Sequence, residues 1–283
     1  MISESTGAPA RPFFIQGTTG NLFAMYHPAR RETARRRDVI FLPPFAEEMN
    51  KSRRMLALQA RWLAEAGFGV LLLDLYGTGE SQGDFGQARW SIWLDDIVAA
   101  RAWLQREGAT QVSALGLRLG ALLALDLARQ QKNIFERLVF WQPVMNGENM
   151  INQFLRLRLA ADMISGAEER ESTQSLRKIM AGGRSIEVGG YELTPELVTA
   201  IDALHGEQMP GNDCPPVSWL ELAPDEGRSL SPASLKVIER WREAGIHVKT
   251  KQVVGPPFWS SAEIAEAPLL LQATTQIFQE ATV

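Results

Sequence analysis

The chain has 283 residues, of which 45% are hydrophobic, with a formal net charge of −4 and a single cysteine, Cys214. That length admits one large α/β domain with an insertion, or two small domains, with a sizeable core in either case. The acidic balance argues against a nucleic-acid binder, whose footprint is basic, and one cysteine excludes an intramolecular disulfide.

Apolar periodicity then gives the elements in chain order. Phe13 to Gln16 and Asn21 to His27, separated by Gly17-Thr-Thr-Gly20, predict an antiparallel hairpin. Arg30, Arg31, Arg35, Arg36 and Arg37 form a basic stretch, read first as a solvated loop and second as a contact for an anionic partner or membrane headgroups. Four short strands follow at Val39 to Leu42, Val70 to Leu75, Val112 to Leu117 and Leu138 to Trp141, with helical patterns over about 52–66, 91–106 and 119–130 between them. Strands alternating with helices of this length imply βαβ units and a mostly parallel sheet. The alternation pauses over 144–212, where Ile151, Phe154, Leu155, Leu159 and Met163 keep helical spacing and Pro195 to Leu204 reads as another helix. A strand at Val217 to Leu222, a helix from about Pro232 to Ala244, a strand at His247 to Val254 and a helix from about Ala262 to Gln279 close the chain. The expected organisation is a core of 1–143 and 213–283 around a helical cap insertion of 144–212.

The start from Met1 has neither a basic n-region nor an apolar h-region, and the longest apolar runs, such as Gly69 to Leu73, fall far short of the roughly 20 residues of a membrane span. A cytoplasmic chain without a transmembrane helix is the expectation. No His, Cys and carboxylate cluster has ligand spacing, so neither a metal nor a cofactor is expected.

Residues Gly116-Leu117-Arg118-Leu119-Gly120 stand where a nucleophile elbow would carry Gly-x-Ser-x-Gly. That motif holds its central residue on a sharp strand-to-helix turn beside an oxyanion hole. Gly116, Gly120 and Ala121 supply the small residues such a turn needs. Arg118 takes the serine's place, and a guanidinium, permanently protonated, is no nucleophile.

With the hairpin, elbow, insertion and closing strands in this order, the whole chain resembles the α/β-hydrolase superfamily. Within it, Pro43-Pro-Phe-Ala-Glu-Glu-Met-Asn-Lys-Ser-Arg-Arg54 and Gly189-Gly-Tyr-Glu-Leu-Thr-Pro195 resemble the type 2 exosortase A system-associated hydrolases, encoded beside bacterial polysaccharide-export and protein-sorting systems. The resemblance implies an α/β-hydrolase fold, with helices flanking a mostly parallel central sheet. It also implies a triad in the order Ser, acid, His. Arg118 occupies the first place and Asp225, in Ala-Pro-Asp-Glu-Gly, is the acid candidate, with an ordinary turn aspartate as the competing reading. The loop that should carry the base, Gly255-Pro-Pro-Phe-Trp-Ser-Ser261, has Phe258 or Trp259 in the histidine's position. His247 opens the last strand at the wrong end, His27 ends the second hairpin strand in a surface or edge role, and His205 belongs to the insertion, from which it can hang over the site. Ser81 matches a serine that is structural in the superfamily, Ser113 lies inside its strand, and Cys214 is expected to be inert.

Arg118 needs an anionic partner because an unpaired buried charge costs several kcal/mol. Glu47, Glu48 and Asp225 are the internal candidates; the alternative is a ligand carboxylate or phosphate clamped by the guanidinium. Arg118, Leu119, Phe45, Phe258 and Trp259 are the candidate pocket residues. Three readings follow. The first is a non-catalytic homologue binding a small or anionic ligand. The second is a genuine hydrolase for ester, thioester or acyl-transfer chemistry, with a rearranged site built on Glu47, Glu48 or Asp225. The third is a structural protein docking onto a protein partner through the insertion or the arginine-rich loop.

Overall fold

The computed structural model describes residues 9–31, 35–165, 171–211 and 213–280. The start of the chain up to Ala8, the side chain of Met163, and Asn212, where the insertion was expected to end, lie outside the described residues.

Strands β1 (Arg11–Gln16) and β2 (Asn21–His27) form the predicted hairpin, with Phe14 opposite Phe23. β3 (Arg37–Leu42), β4 (Gly69–Leu73), β5 (Gln111–Leu117) and β6 (Leu138–Trp141) follow, interleaved with α1 (Glu47–Glu65), α2 (Trp90–Arg106) and α3 (Gly120–Gln130). After the insertion come β9 (Val217–Ala223), α7 (Pro232–Glu243), β10 (Val248–Val254) and α8 (Pro268–Glu280). The main sheet runs β1-β2-β4-β3-β5-β6-β9-β10, antiparallel where β2 meets β1 and β4 and parallel elsewhere.

Alternation along the central strands feeds two layers of core. Ile40, Leu42, Ala114, Phe140 and Trp219 face α2, α3 and α7, while Val39, Phe41, Leu115, Leu117, Val139 and Trp141 face α1 and α8. Strands buried on both faces carry continuous apolar runs, which is why they were legible. Two helix starts differ from expectation. α1 begins at Glu47, about five residues early, behind an Ala46 N-cap that offers no side-chain oxygen. α8 begins at Pro268 rather than near Ala262, because proline suits a helix's first turn and disfavours helix before it.

Between β6 and β9 lie α4 (Gly147–Ser165), α5 (Thr173–Ala181), a two-stranded ribbon of β7 (Ile186–Val188) and β8 (Tyr191–Leu193), and α6 (Pro195–Asp202). The insertion is therefore not purely helical. Gly189 and Gly190 turn the ribbon with positive φ, which glycine adopts freely. The insertion's two ends pair at its stem, where Asn146 bridges His205 and Gly206 N–H donates to the Met145 carbonyl at 2.7 Å. An aromatic cluster of Phe45, Phe85, Phe154 and Tyr191 pins it to the core, with Phe45 and Phe154 centroids 5.1 Å apart.

Candidate functional site

β5 delivers the elbow. The chain leaves Leu117, turns through Arg118 at φ 54° and enters α3. A non-glycine residue in this left-handed region costs about 1–2 kcal/mol, and its neighbours hold it there. Arg118 N–H donates to the Trp141 carbonyl at 3.0 Å, and the Arg118 carbonyl accepts from the N–H groups of Ala121 and Val144, both at 3.2 Å. The flanking glycines are steric requirements. A Cβ on Gly116 would stand 2.6 Å from the Ala121 nitrogen, and one on Gly120 would run into the Leu42 carbonyl oxygen.

The guanidinium is held on one edge and one face. Nε donates to Glu48 Oε1 at 3.1 Å, and Cζ lies 5.5 Å from the centroid of the Trp259 ring. Each side chain of the ion pair is only 17% exposed. Of the three carboxylates named for Arg118, Glu48 is the partner. Burial pushes its carboxyl above the ordinary carboxylate value, and the neighbouring Arg118 opposes that rise without cancelling it. Glu48 Oε2 is buried without a hydrogen-bond partner, while the two Nη groups of Arg118 bond to no described residue.

The other candidates separate. Glu47 is half-buried beside Lys51 and Tyr191, and burial raises its pKa too. Asp225 is 70% exposed and paired with Arg228 at 3.5 Å, so its carboxylate is spent on a surface turn and does not neutralise Arg118. Phe258 is fully buried against Trp141, Leu119 is core, and Phe45 belongs to the aromatic cluster. These three are packing residues rather than pocket wall, because their rings and methyls are consumed by neighbours. Of that loop, Trp259 presents its ring to Arg118.

Arg118 lines a cavity of about 460 Å³ beneath the insertion, together with Gln142, Asn146, Asn149, His205 and Glu221. The stem pairing explains His205, whose Nδ1 lies 3.4 Å from Asn146 Nδ2. Glu221 escaped sequence reasoning, although an acidic residue inside the apolar run of β9 was a usable signal. It is buried and accepts from Trp219 Nε1 at 2.8 Å. Gln142 was missed as well; it sits at φ 43° just past β6, and its Oε1 accepts from Leu222 N–H at 2.9 Å.

His27 is buried rather than superficial, and burial, then Arg61 and Arg30, lower its pKa. The arginine stretch is largely docked: Arg30 pairs with Glu65 at 2.8 Å, Arg36 with Asp38 at 3.1 Å, and Arg37 lies over Phe68. Ser81 is structural, donating to the Asp74 carbonyl and accepting from Phe23 N–H. Burial pushes the Cys214 thiol up to about 11, which disfavours its nucleophilic thiolate. Among the described residues no His, Cys, Asp and Glu side chains gather to hold a metal, and no helix is long and apolar enough to cross a membrane.

Sheet order, elbow and cap define an α/β-hydrolase fold. The family model described as Hydrolase_4, serine aminopeptidase, S33, matches residues 34–176, and the chain belongs to that family. A search of curated proteins finds no match. Solved structures share the fold. Est1E from Butyrivibrio proteoclasticus, with ferulic acid bound, is 17% identical over 95% of this chain and 98% of its own, with a TM-score of 0.68. Mouse alpha/beta hydrolase domain-containing protein 10 is 15% identical over 96% and 100%, with a TM-score of 0.62. A lipase/esterase from Lactobacillus plantarum is 11% identical over 97% and 99%, also at 0.62.

Proposed function

We propose that this chain is a non-catalytic member of its family that binds a small polar ligand carrying an acidic group between elbow and cap. The observation that carries the reading is the state of Arg118. It replaces the nucleophile, its face rests on a tryptophan in the base's loop, and Glu48 takes only its Nε edge. The free Nη pair has the geometry to clamp a carboxylate or phosphate with two parallel bonds. The amides of Gln142, Asn146 and Asn149 suit hydroxyl groups on the rest of the ligand. Glu221 and Glu207 do not compete for Arg118, because Trp219 occupies one and Lys236 with Arg240 flank the other.

Residues 144–212 act as the cap over this ligand. The two strings resembling exosortase-associated hydrolases meet beside the site, where Asn50 Nδ2 donates to Tyr191 Oη at 3.4 Å. The resemblance of those two strings is what supports reading the protein as a cytoplasmic accessory of a bacterial polysaccharide and protein-sorting system. A second reading, a rearranged hydrolase, rests on the raised pKa and unpartnered Oε2 of Glu48, a carboxyl able to take a proton from water. Calorimetric titration with hydroxylated mono- and dicarboxylates and sugar phosphates tests the first reading. Binding to the wild type that falls at least about tenfold in Arg118→Lys, which keeps the charge and loses the planar fork, supports it. Equal affinity in both proteins overturns the clamp.

A further inference from the structure

A second cavity, of about 420 Å³, opens on the opposite flank of α1 from the β5 elbow, between α1 and the antiparallel margin of the sheet. Its floor follows from strand register. Phe14 pairs with Phe23, Met25 with Leu72, and Leu72 with Phe41, so these side chains share one sheet face. α1 covers that face over β3 and β4 and reaches β2, and among the described residues no helix is packed on it over β1. Phe14 is accordingly 60% exposed, and Phe23, Met25 and Leu72 are only partly buried.

One end of the trough is cationic. His27, Arg30 and Arg61 line it, and both arginines act electrostatically on His27. Arg30 is paired with Glu65, and at the other end the Arg53 fork is taken up by Asp74 at 2.9 and 3.3 Å. Arg61 differs. Its Nε donates to the Ala57 carbonyl of its own helix, and among the described residues it forms no ion pair. An apolar floor open to water, with an ion pair at one end and, among the described residues, a guanidinium without an acidic partner at the other, complements a chain with an anionic head.

We propose that this trough binds a single-chain amphiphilic anion, an acyl carboxylate, with its chain on Phe23, Met25 and Leu72 and its head at Arg61. The site is independent of the elbow. The same chemistry reaches the protein as a free acid or as an anionic lipid in a bilayer, and the volume favours the free acid.

The test is calorimetric titration of the purified full chain with sodium hexanoate, octanoate and decanoate below their micellar concentrations, with decanol as the neutral control. Phosphatidylglycerol vesicles form a separate arm. Affinity should rise about fourfold per methylene as apolar surface is buried. Arg61→Gln should weaken decanoate about five- to tenfold while leaving decanol unchanged, as expected for a partly exposed charge-assisted bond. Ala57→Trp, which fills the trough, should abolish both, and Arg61→Gln should weaken decanoate by the same factor in an Arg118→Lys background, where the elbow clamp is removed. Affinity independent of chain length, decanol binding as tightly as decanoate, sensitivity to Arg118 instead of Arg61, or binding to vesicles alone would each overturn the proposal.

Discussion

Arg118→Met strips the buried Glu48 of its cation, and the consequence depends on pH in a direction fixed by the structure. Glu48 already stands above its ordinary value of 4.5 when folded, and removing Arg118 removes the largest influence holding it down. Stability from such a group is present below its unfolded value and is lost as pH rises through the folded one. Breaking a buried pair costs about 3–5 kcal/mol; with 17% of each side chain exposed, about 3 kcal/mol is the reasonable expectation, since water reaches both groups. The carboxyl has an escape, which is protonation, at about 1.4 kcal/mol per pH unit above its ordinary value. That route limits the loss to about 0.7 kcal/mol at pH 5 but only to about 4.8 kcal/mol at pH 8. For a chain of this size each kcal/mol moves the midpoint by about 2–4 °C. Thermal unfolding followed by circular dichroism should therefore show Arg118→Met lower than wild type by about 6–12 °C at pH 8 and by about 1–3 °C at pH 5. Arg118→Met with Glu48→Gln should recover most of the pH 8 deficit. A deficit equal at both pH values, or one the second substitution does not relieve, refutes the buried-pair reasoning.

Asp96 is a second pH-dependent element. Burial pushes its carboxyl up to about 7, opposed by the Tyr76 N–H that it accepts at 2.8 Å. The folded value lies above the unfolded one, so stability should fall as pH rises from about 4 to 7, by up to about 1.4 kcal/mol per unit. Asp96→Asn should flatten that slope in urea unfolding at pH 5 and 7.5; an unchanged slope assigns it elsewhere. In Gly147→Ala the new Cβ would run into the Ile201 carbonyl oxygen, so α4 must lift from α6 at a cost of about 1–3 kcal/mol. Faster hydrogen exchange confined to those two helices is the expected signature, and uniform exchange rates would contradict it. Arg118→Ser restores a hydroxyl to the elbow without a base to activate it, because Trp259 holds the base's loop. Its ester hydrolysis should stay at the buffer rate; a clear gain would mean another residue serves as base.

How much of this was legible in the sequence depends on how local each feature is. The parallel strands were readable because burial on both faces demands unbroken apolar runs, and the elbow because Gly116 and Gly120 cannot carry a Cβ. The β7–β8 ribbon was not, because three-residue strands are too short to show alternation. The sequence pattern starts α1 too late because Ala46, held at φ 51°, gives no capping signal. At the site, Glu48 was one of three named partners, and only the turn into α1 distinguishes it from Glu47 next door. Asp225 failed because the turn after β9 faces water. The placement of Gln142, Glu221 and His205 around one cavity arises from strands and a stem far apart in sequence, which no local pattern encodes.

Turnover is the most direct test of the central claim that Arg118 has replaced catalysis with binding. The measurement is hydrolysis of a panel of short-chain nitrophenyl esters and thioesters by the purified protein, between pH 6 and 9, against a matched buffer blank. Rates equal to the blank across the panel are predicted. Turnover above the blank that is lost in Glu48→Gln would contradict the account and establish a hydrolase working through a carboxylate.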